Sequence, residues 1–285
     1  MVMRRRWLRT GLIAVGTAAL LGALGVWLGT GMLQPSVPAD DRAQALATAQ
    51  ELEEMVDTRI FFGHQSVGKN IISGVPAVFE DAGVDAPSIV ELAAGGSLPA
   101  KADRGLIMHQ MVGQNRFPET KLDQFAATLR DGLGGQVNVA VLKFCYLDVN
   151  STTDVRALFE LYRSRMAELA DEFPEVAFIY ATVPLRTEPA DLKQLVKEVI
   201  GRPNDNAARE QYNQLVRAEF GDTGRLFDIA AFQSTAPDGT RIARSHRGAT
   251  HYALYEGYAS DPGHLNPFGS TRAASEFLAV IGRRT

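Results

Sequence analysis

Residues 153–183 read TDVRALFELYRSRMAELADEFPEVAFIYATV, and this stretch decides the class of fold. Over 153–172 apolar residues recur at intervals of three and four with charges between them, the pattern of an amphipathic helix. Over 176–183 the chain turns to a continuous apolar run, VAFIYATV, of the kind buried on both faces of a sheet. Working outward, the alternation repeats. Helices are expected over 43–56, 67–79, 122–133, 206–220 and 268–281, and strands over 59–62, 88–92, 137–144 and 225–229. With 176–183 this makes a five-stranded, mainly parallel sheet covered by helices on both sides, in one domain spanning about residues 42–285. Ligands of such sheets collect beyond the carboxyl ends of the strands. Chemistry is therefore expected just after Phe62, Leu92, Phe144 and Val183, and in the irregular stretch 231–266.

The composition narrows the class. The chain has 285 residues, 46% hydrophobic and 22% charged, a globular balance that excludes wholesale disorder, collagen-like repeats and coiled coil. Cys145 is the single cysteine, which excludes an intramolecular disulfide and any multi-cysteine metal site. A formal net charge of −4 excludes a nucleic-acid binder that works by neutralising phosphates. Arg4, Arg5, Arg6 and Arg9 precede residues 11–33, which carry no charge. At about 1.5 Å of rise per residue this run is long enough to cross a hydrocarbon core of about 30 Å. Arginines before such a span hold that end in the cytoplasm, so the rest is expected outside it, in a bacterial-type cell envelope. Two readings of the leader stay open. Its length, beyond the usual core of a cleaved signal, favours an uncleaved anchor; its Arg4-Arg5-Arg6-Trp7-Leu8-Arg9 start, similar to a twin-arginine export motif, and its six glycines favour an exported, processed chain. No cysteine follows the span to carry a lipid. Residues 34–41 have linker composition, and the part beyond residue 39 holds 25 basic and 33 acidic residues, a formal −8. The expected contact with the membrane is the tether alone.

Two loops hold the chemistry. After the first strand comes Gly63-His64-Gln65-Ser66-Val67-Gly68, running directly into a helix. A serine at a helix amino terminus stands among free backbone N–H groups that favour developing negative charge, which suits a nucleophile whose own amide helps to hold an oxyanion. The competing reading is a serine that caps the helix. Just before the last helix comes Asp261-Pro262-Gly263-His264-Leu265-Asn266-Pro267-Phe268-Gly269. Its Pro-Gly spacing allows a tight turn that brings the Asp261 carboxylate to Nδ1 of His264, fixing the imidazole tautomer and freeing Nε2 as a base. Asn266 fits the helix cap and Pro267 the first helical position. The competing reading here is a surface turn with a cap.

The string Asp-x-x-His-Leu-Asn-x-x-Gly near the end of an α/β domain resembles the last conserved block of the SGNH/GDSL hydrolases. In that family a serine in a Gly-Asp-Ser loop follows the first strand, as Gly63-His64-Gln65-Ser66 does here. The block after the second strand is similar to Glu91-Leu92-Ala93-Ala94-Gly95-Gly96-Ser97, and the third block falls on Cys145-Tyr146-Leu147-Asp148. The resemblance spans nearly the whole of residues 42–285 in block order, and its last block is the close match. It implies a three-layer α/β/α, flavodoxin-like domain and serine esterase activity on O-acyl groups, including those of polysaccharides, with Ser66, His264 and Asp261 as the triad. Ser66 and Gly96 would supply oxyanion amides, and no cofactor or metal would be needed. Two departures stand out: His-Gln replaces one Asp in the serine loop, and Leu147 occupies the place of an oxyanion asparagine. Asn70, one helical turn beyond Ser66, and His64 are candidate substitutes. Alternatives of other kinds are an O-acyltransferase using the same triad and a non-catalytic carbohydrate-binding or assembly component of an envelope system.

His64, Gln65, Tyr146, Asp148, Tyr255 and Tyr258 are candidate substrate contacts; aromatic packing of a long loop competes for the tyrosines. Lys143, at the end of an apolar strand, calls for a carboxylate, and Asp148 is the nearest in sequence. Cys145 reads as a small buried hydrophobe. His109, His246 and His251 lack metal-ligand spacing.

Overall fold

The computed structural model describes residues 46–93, 105–188 and 203–283. The apolar leader 11–33, the linker and Gly96 lie outside them; among the described residues no helix is long and apolar enough to cross a membrane.

Eight strands and seven α-helices follow one another in these segments. Helix α1 (Ala49–Glu54) leads into β1 (Arg59–His64), α2 (Ser66–Ala82), β2 (Ser88–Glu91) and β3 (Leu106–Met111). Then come α3 (Pro118–Thr128), extended by a π turn to Leu133, β4 (Val139–Leu142), α4 (Val155–Glu172) and β5 (Ala177–Ala181). The chain continues through α5 (Asp205–Phe220), β6 (Leu226–Phe227), α6 (Ile229–Gln233), a hairpin of β7 (Ala243–His246) and β8 (Ala249–Tyr252), and α7 (Pro267–Gly282). Six strands form one sheet in the order β2-β3-β1-β4-β5-β6, with every pairing parallel.

The sheet is buried on both faces because its strands are apolar at odd and even positions alike. Ile60 and Phe62 of β1, Val139 and Val141 of β4, and Ile179 and Ala181 of β5 pack into a core shared with α2 and α7. Phe61, Ala140, Leu142 and Phe178, pointing the other way, pack with α3, α4 and α5. This is the expected three-layer α/β/α architecture. The sheet has six strands where five were expected. The additional one, Leu-Ile-Met-His-Gln-Met over Leu106–Met111, lies between β1 and β2. Its residues serve helices as well as strands, and His109 and Gln110 interrupt the apolar run. They are buried there because both find partners. His109 meets His64, and Gln110 accepts from Thr128 at 2.9 Å and donates to the Ala93 carbonyl at 3.3 Å. The stretch 231–266, expected to be irregular, carries the β7–β8 hairpin.

Helices α2 and α7 lie side by side on one face. Gly74 permits their close approach, since a Cβ there would stand 2.3 Å from the Ser270 carbonyl oxygen. Both helix ends that face the strand tips therefore sit together.

Candidate active site

Strand β1 delivers its last residue, His64, to the tip of the sheet, and the chain passes through Gln65 into α2. The neighbouring strand ends fix this loop. Lys143 donates its amide to the Gly63 carbonyl at 3.0 Å, and Val112 donates to the His64 carbonyl at 2.9 Å. The Gln65 side chain donates to the Val112 and Gly113 carbonyls at 2.9 and 3.0 Å. Gln65 holds the cap position of α2 with no side-chain cap hydrogen bond, so Ser66 is the first helical residue and its hydroxyl is not spent on capping. Of the first-turn amides of α2, that of Gly68 donates to the Gln65 carbonyl at 2.7 Å, and that of Ser66 stands at the helix start, where amides lack an intrahelical acceptor. Gly68 lets that turn lie on His64, because a Cβ at Gly68 would come within 2.3 Å of the imidazole.

At the far end of the chain, Asp261 Oδ2 accepts from Nδ1 of His264 at 2.7 Å. Its other oxygen accepts from the amides of Gly263 at 2.8 Å and His264 at 3.0 Å. The Gly263 amide first, then the His264 ring, hold the Asp261 carboxyl below the ordinary carboxylate range. With Nδ1–H committed to Asp261, the neutral imidazole presents Nε2 as an acceptor. Asn266 caps α7 by accepting from the Gly269 amide at 2.8 Å, and Pro267 takes the first helical position, as the sequence predicts.

The two loops are tied to each other. Leu265, adjacent to His264, donates its amide to Oδ1 of Asn70, one turn beyond Ser66, at 3.3 Å. Asn70 thus anchors the histidine loop. Tyr146, from the loop after β4, completes the surroundings: its ring meets the His264 imidazole edge-on at 5.9 Å. Gly263 lies against that ring, where a Cβ would stand 2.6 Å from Tyr146 Cζ.

Beneath Ser66 lies a buried basic cluster. Nδ1 of His64 faces the Gln65 carbonyl at 3.1 Å and must donate, leaving Nε2 to accept from Nδ1 of His109 at 3.0 Å. Burial first, then the charge of Lys143, pushes His64 down to about 3, so the ring is neutral. Burial also lowers His109. Lys143 is wholly buried and donates to the Phe144 carbonyl at 3.1 Å. Burial pushes it down to about 8.

Several expectations change here. Asp148 pairs with Lys121, not Lys143; it also accepts from the Cys145 amide at 2.7 Å and the Arg116 amide at 2.9 Å. Lys121 lies 27 residues upstream on α3, beyond the reach of a nearest-neighbour reading. His64, Gln65 and Asp148 are buried with internal partners, so they shape the site instead of lining it. Tyr258 is fully buried, stacked on Phe232 at 5.0 Å, and is a core residue; Tyr255 stays half-buried against it. Cys145 is buried as expected. His251 pairs with Glu188 at 2.9 Å, and no metal-binding group of side chains occurs among the described residues.

Sequence reasoning passed over Arg186 and Arg209, whose guanidinium carbons lie 5.7 and 5.8 Å from the centre of the Tyr146 ring. Arg186 follows Val183 by three residues, inside a region singled out by its place beyond a strand end. Its link to Tyr146 is purely tertiary.

No protein-family model and no curated protein matches the chain. Solved structures resemble it at low identity. A G-D-S-L family protein described as lipolytic, from Desulfitobacterium hafniense, is 9% identical, with 78% of this chain and 99% of that one covered at a TM-score of 0.44. A protein described as an SGNH hydrolase from Slackia heliotrinireducens is 16% identical, with 79% and 98% covered at 0.43. The periplasmic domain of a lipopolysaccharide acetyltransferase from Salmonella ser. Paratyphi A is 14% identical, with 78% and 80% covered at 0.41.

Proposed function

We propose that the protein is an exported serine ester hydrolase that removes O-acyl groups through Ser66, His264 and Asp261. The observation that carries this reading is the 2.7 Å Asp261–His264 pair on a loop that Asn70 ties to the helix begun by Ser66. In the reaction Ser66 Oγ attacks the acyl carbon while His264 Nε2 takes its proton. Asp261 keeps the imidazole in the required tautomer and balances the imidazolium. The oxyanion forms beside the Ser66 amide at the start of α2. Collapse of the tetrahedral adduct expels the alcohol, which receives the proton from His264. Water then attacks the acyl-serine by the same route and releases the acid. The arginines before residues 11–33 support a domain outside the cytoplasm, where acylated surface polysaccharides are available substrates.

The test is turnover of p-nitrophenyl acetate by the purified full-length chain. Wild type is expected to release nitrophenolate, and Ser66→Ala to fall to background. Equal background rates in both proteins would remove the hydrolase reading. Hydrolysis that survives Ser66→Ala and disappears with a chelator would replace it with metal chemistry.

A further inference from the structure

Tyr146 has charged neighbours that the triad leaves unused. Arg209 is almost wholly buried and fully engaged: Nε donates to the Tyr146 carbonyl at 2.9 Å, Nη1 donates to Asn206 Oδ1 at 2.7 Å, and Asp205 stands 3.9 Å away. Arg186 is different. Its backbone is held firmly, with the amide donating to Asn206 Oδ1 at 3.1 Å and the carbonyl accepting from Asn206 Nδ2 at 2.8 Å and the Leu254 amide at 3.0 Å. The next residue, Thr187, donates its amide to the Pro262 carbonyl at 2.9 Å, inside the Asp261–His264 turn. Yet the Arg186 Nε is buried without an acceptor among the described residues, and the guanidinium rests near the Tyr146 ring. The nearby Glu188 carboxylate is taken by His251 and Asn204.

A buried guanidinium N–H without an acceptor costs free energy, and a second guanidinium beside it adds repulsion. That repulsion, after burial itself, helps push Arg209 down to about 10. The residue as a whole is only half-buried, although Nε itself is not exposed. A planar fork of donors fits the paired oxygens of a carboxylate or phosphate.

We propose that Arg186 binds an anionic group, carboxylate or phosphate, carried by the ester substrate, with the buried Tyr146 ring as the packing that joins Arg186 to His264. The substrate class is then an O-acylated acidic sugar, such as a uronate or a sugar phosphate. This assignment rests on the hydrolase reading for its substrate, but the anion site itself is measured without turnover.

The test is binding of glucuronate, glucose 6-phosphate and glucose to the full-length chain, followed by saturation-transfer NMR and calorimetry. At least one anion is expected to bind about tenfold more tightly than glucose, and which one names the source of the charge. Arg186→Gln is expected to erase that preference, Arg186→Lys to keep part of it, and added salt to weaken it. Equal binding of all three sugars, no binding of any, or a preference that persists in Arg186→Gln would overturn the proposal. Assaying ester turnover on the same wild-type protein separates the two ideas. Arg186-dependent anion binding in a wild-type chain that hydrolyses no ester supports the anion site and removes the hydrolase, whereas ester turnover without that binding keeps the hydrolase and removes the anion site.

Discussion

The least conspicuous residue of the site, Gly263, sets where His264 stands. It packs against Tyr146 so closely that a Cβ would overlap the ring at 2.6 Å. Gly263→Ala therefore displaces either the ring or the loop. A shift of about 1 Å in a catalytic group costs on the order of 10²-fold. Turnover of p-nitrophenyl acetate by Gly263→Ala should fall by about that factor while the melting temperature moves little; an unchanged rate would show that the loop has slack. Asp261→Asn tests the tautomer. It should lower kcat by about 10²- to 10⁴-fold, towards the smaller figure because Asp261 is solvent-exposed and water can replace part of its role. The Asp261–His264 pair was legible in the sequence because both members sit on one short turn. The Lys121–Asp148 pair and the arginines beside Tyr146 were not, since each joins elements far apart in the chain.

At the scale of elements, the site depends on two helices from opposite ends of the described chain. Gly74 lets α2 and α7 touch, and Gly74→Ala would drive a methyl group into the Ser270 backbone at 2.3 Å. Overpacking of this kind costs about 1–3 kcal/mol, more where the obstacle is backbone. Urea unfolding should register that loss, and ester turnover should fall in the protein that remains folded, because the helices carry Ser66 and the His264 loop. Full stability with full activity would mean that the helices separate freely. Helix and strand positions were readable wherever one periodicity ran unbroken, as in α4 and β5. Strand β3 was hidden because His109 and Gln110 look like surface residues until their partners, His64 and Thr128, come into view. Local pattern reports which face is apolar; it does not report which polar side chains a neighbour will satisfy.

For the molecule as a whole, the buried basic cluster contributes one part of the response to pH. His64 is held near 3 in the fold and returns to about 6.5 when unfolded. Between those values the unfolded chain takes up a proton that the folded chain refuses. Stability therefore falls as the pH drops through this window, by about 1.4 kcal/mol per pH unit for the one group. His109, lowered by burial, acts in the same direction. Glu276, whose carboxyl is raised by burial well above the ordinary range, acts the opposite way in this window. The His64 share is therefore read as a difference: between pH 7 and 4 the urea midpoint of wild type should lose ground relative to that of His64→Gln. Lys143, held near 8, acts at the other end. Below pH 8 it is charged in both states and the fold bears the full burden of burying it; stability recovers as the pH rises from 8 towards 10.5. Lys143→Met should stabilise the protein at pH 7 by about 1–3 kcal/mol, with the advantage shrinking above pH 8. A destabilised Lys143→Met would show that the ammonium group has a structural partner worth more than its burial.

The hydrogen bond from Leu265 to Asn70 also bears on biosynthesis. The proposed proton acceptor leaves the ribosome 198 residues after the proposed nucleophile. A nascent chain, or one truncated before residue 264, therefore carries a harmless serine. If the proposed triad acts, ester cleavage can begin only once the chain as far as His264 has been made and has folded back onto α2.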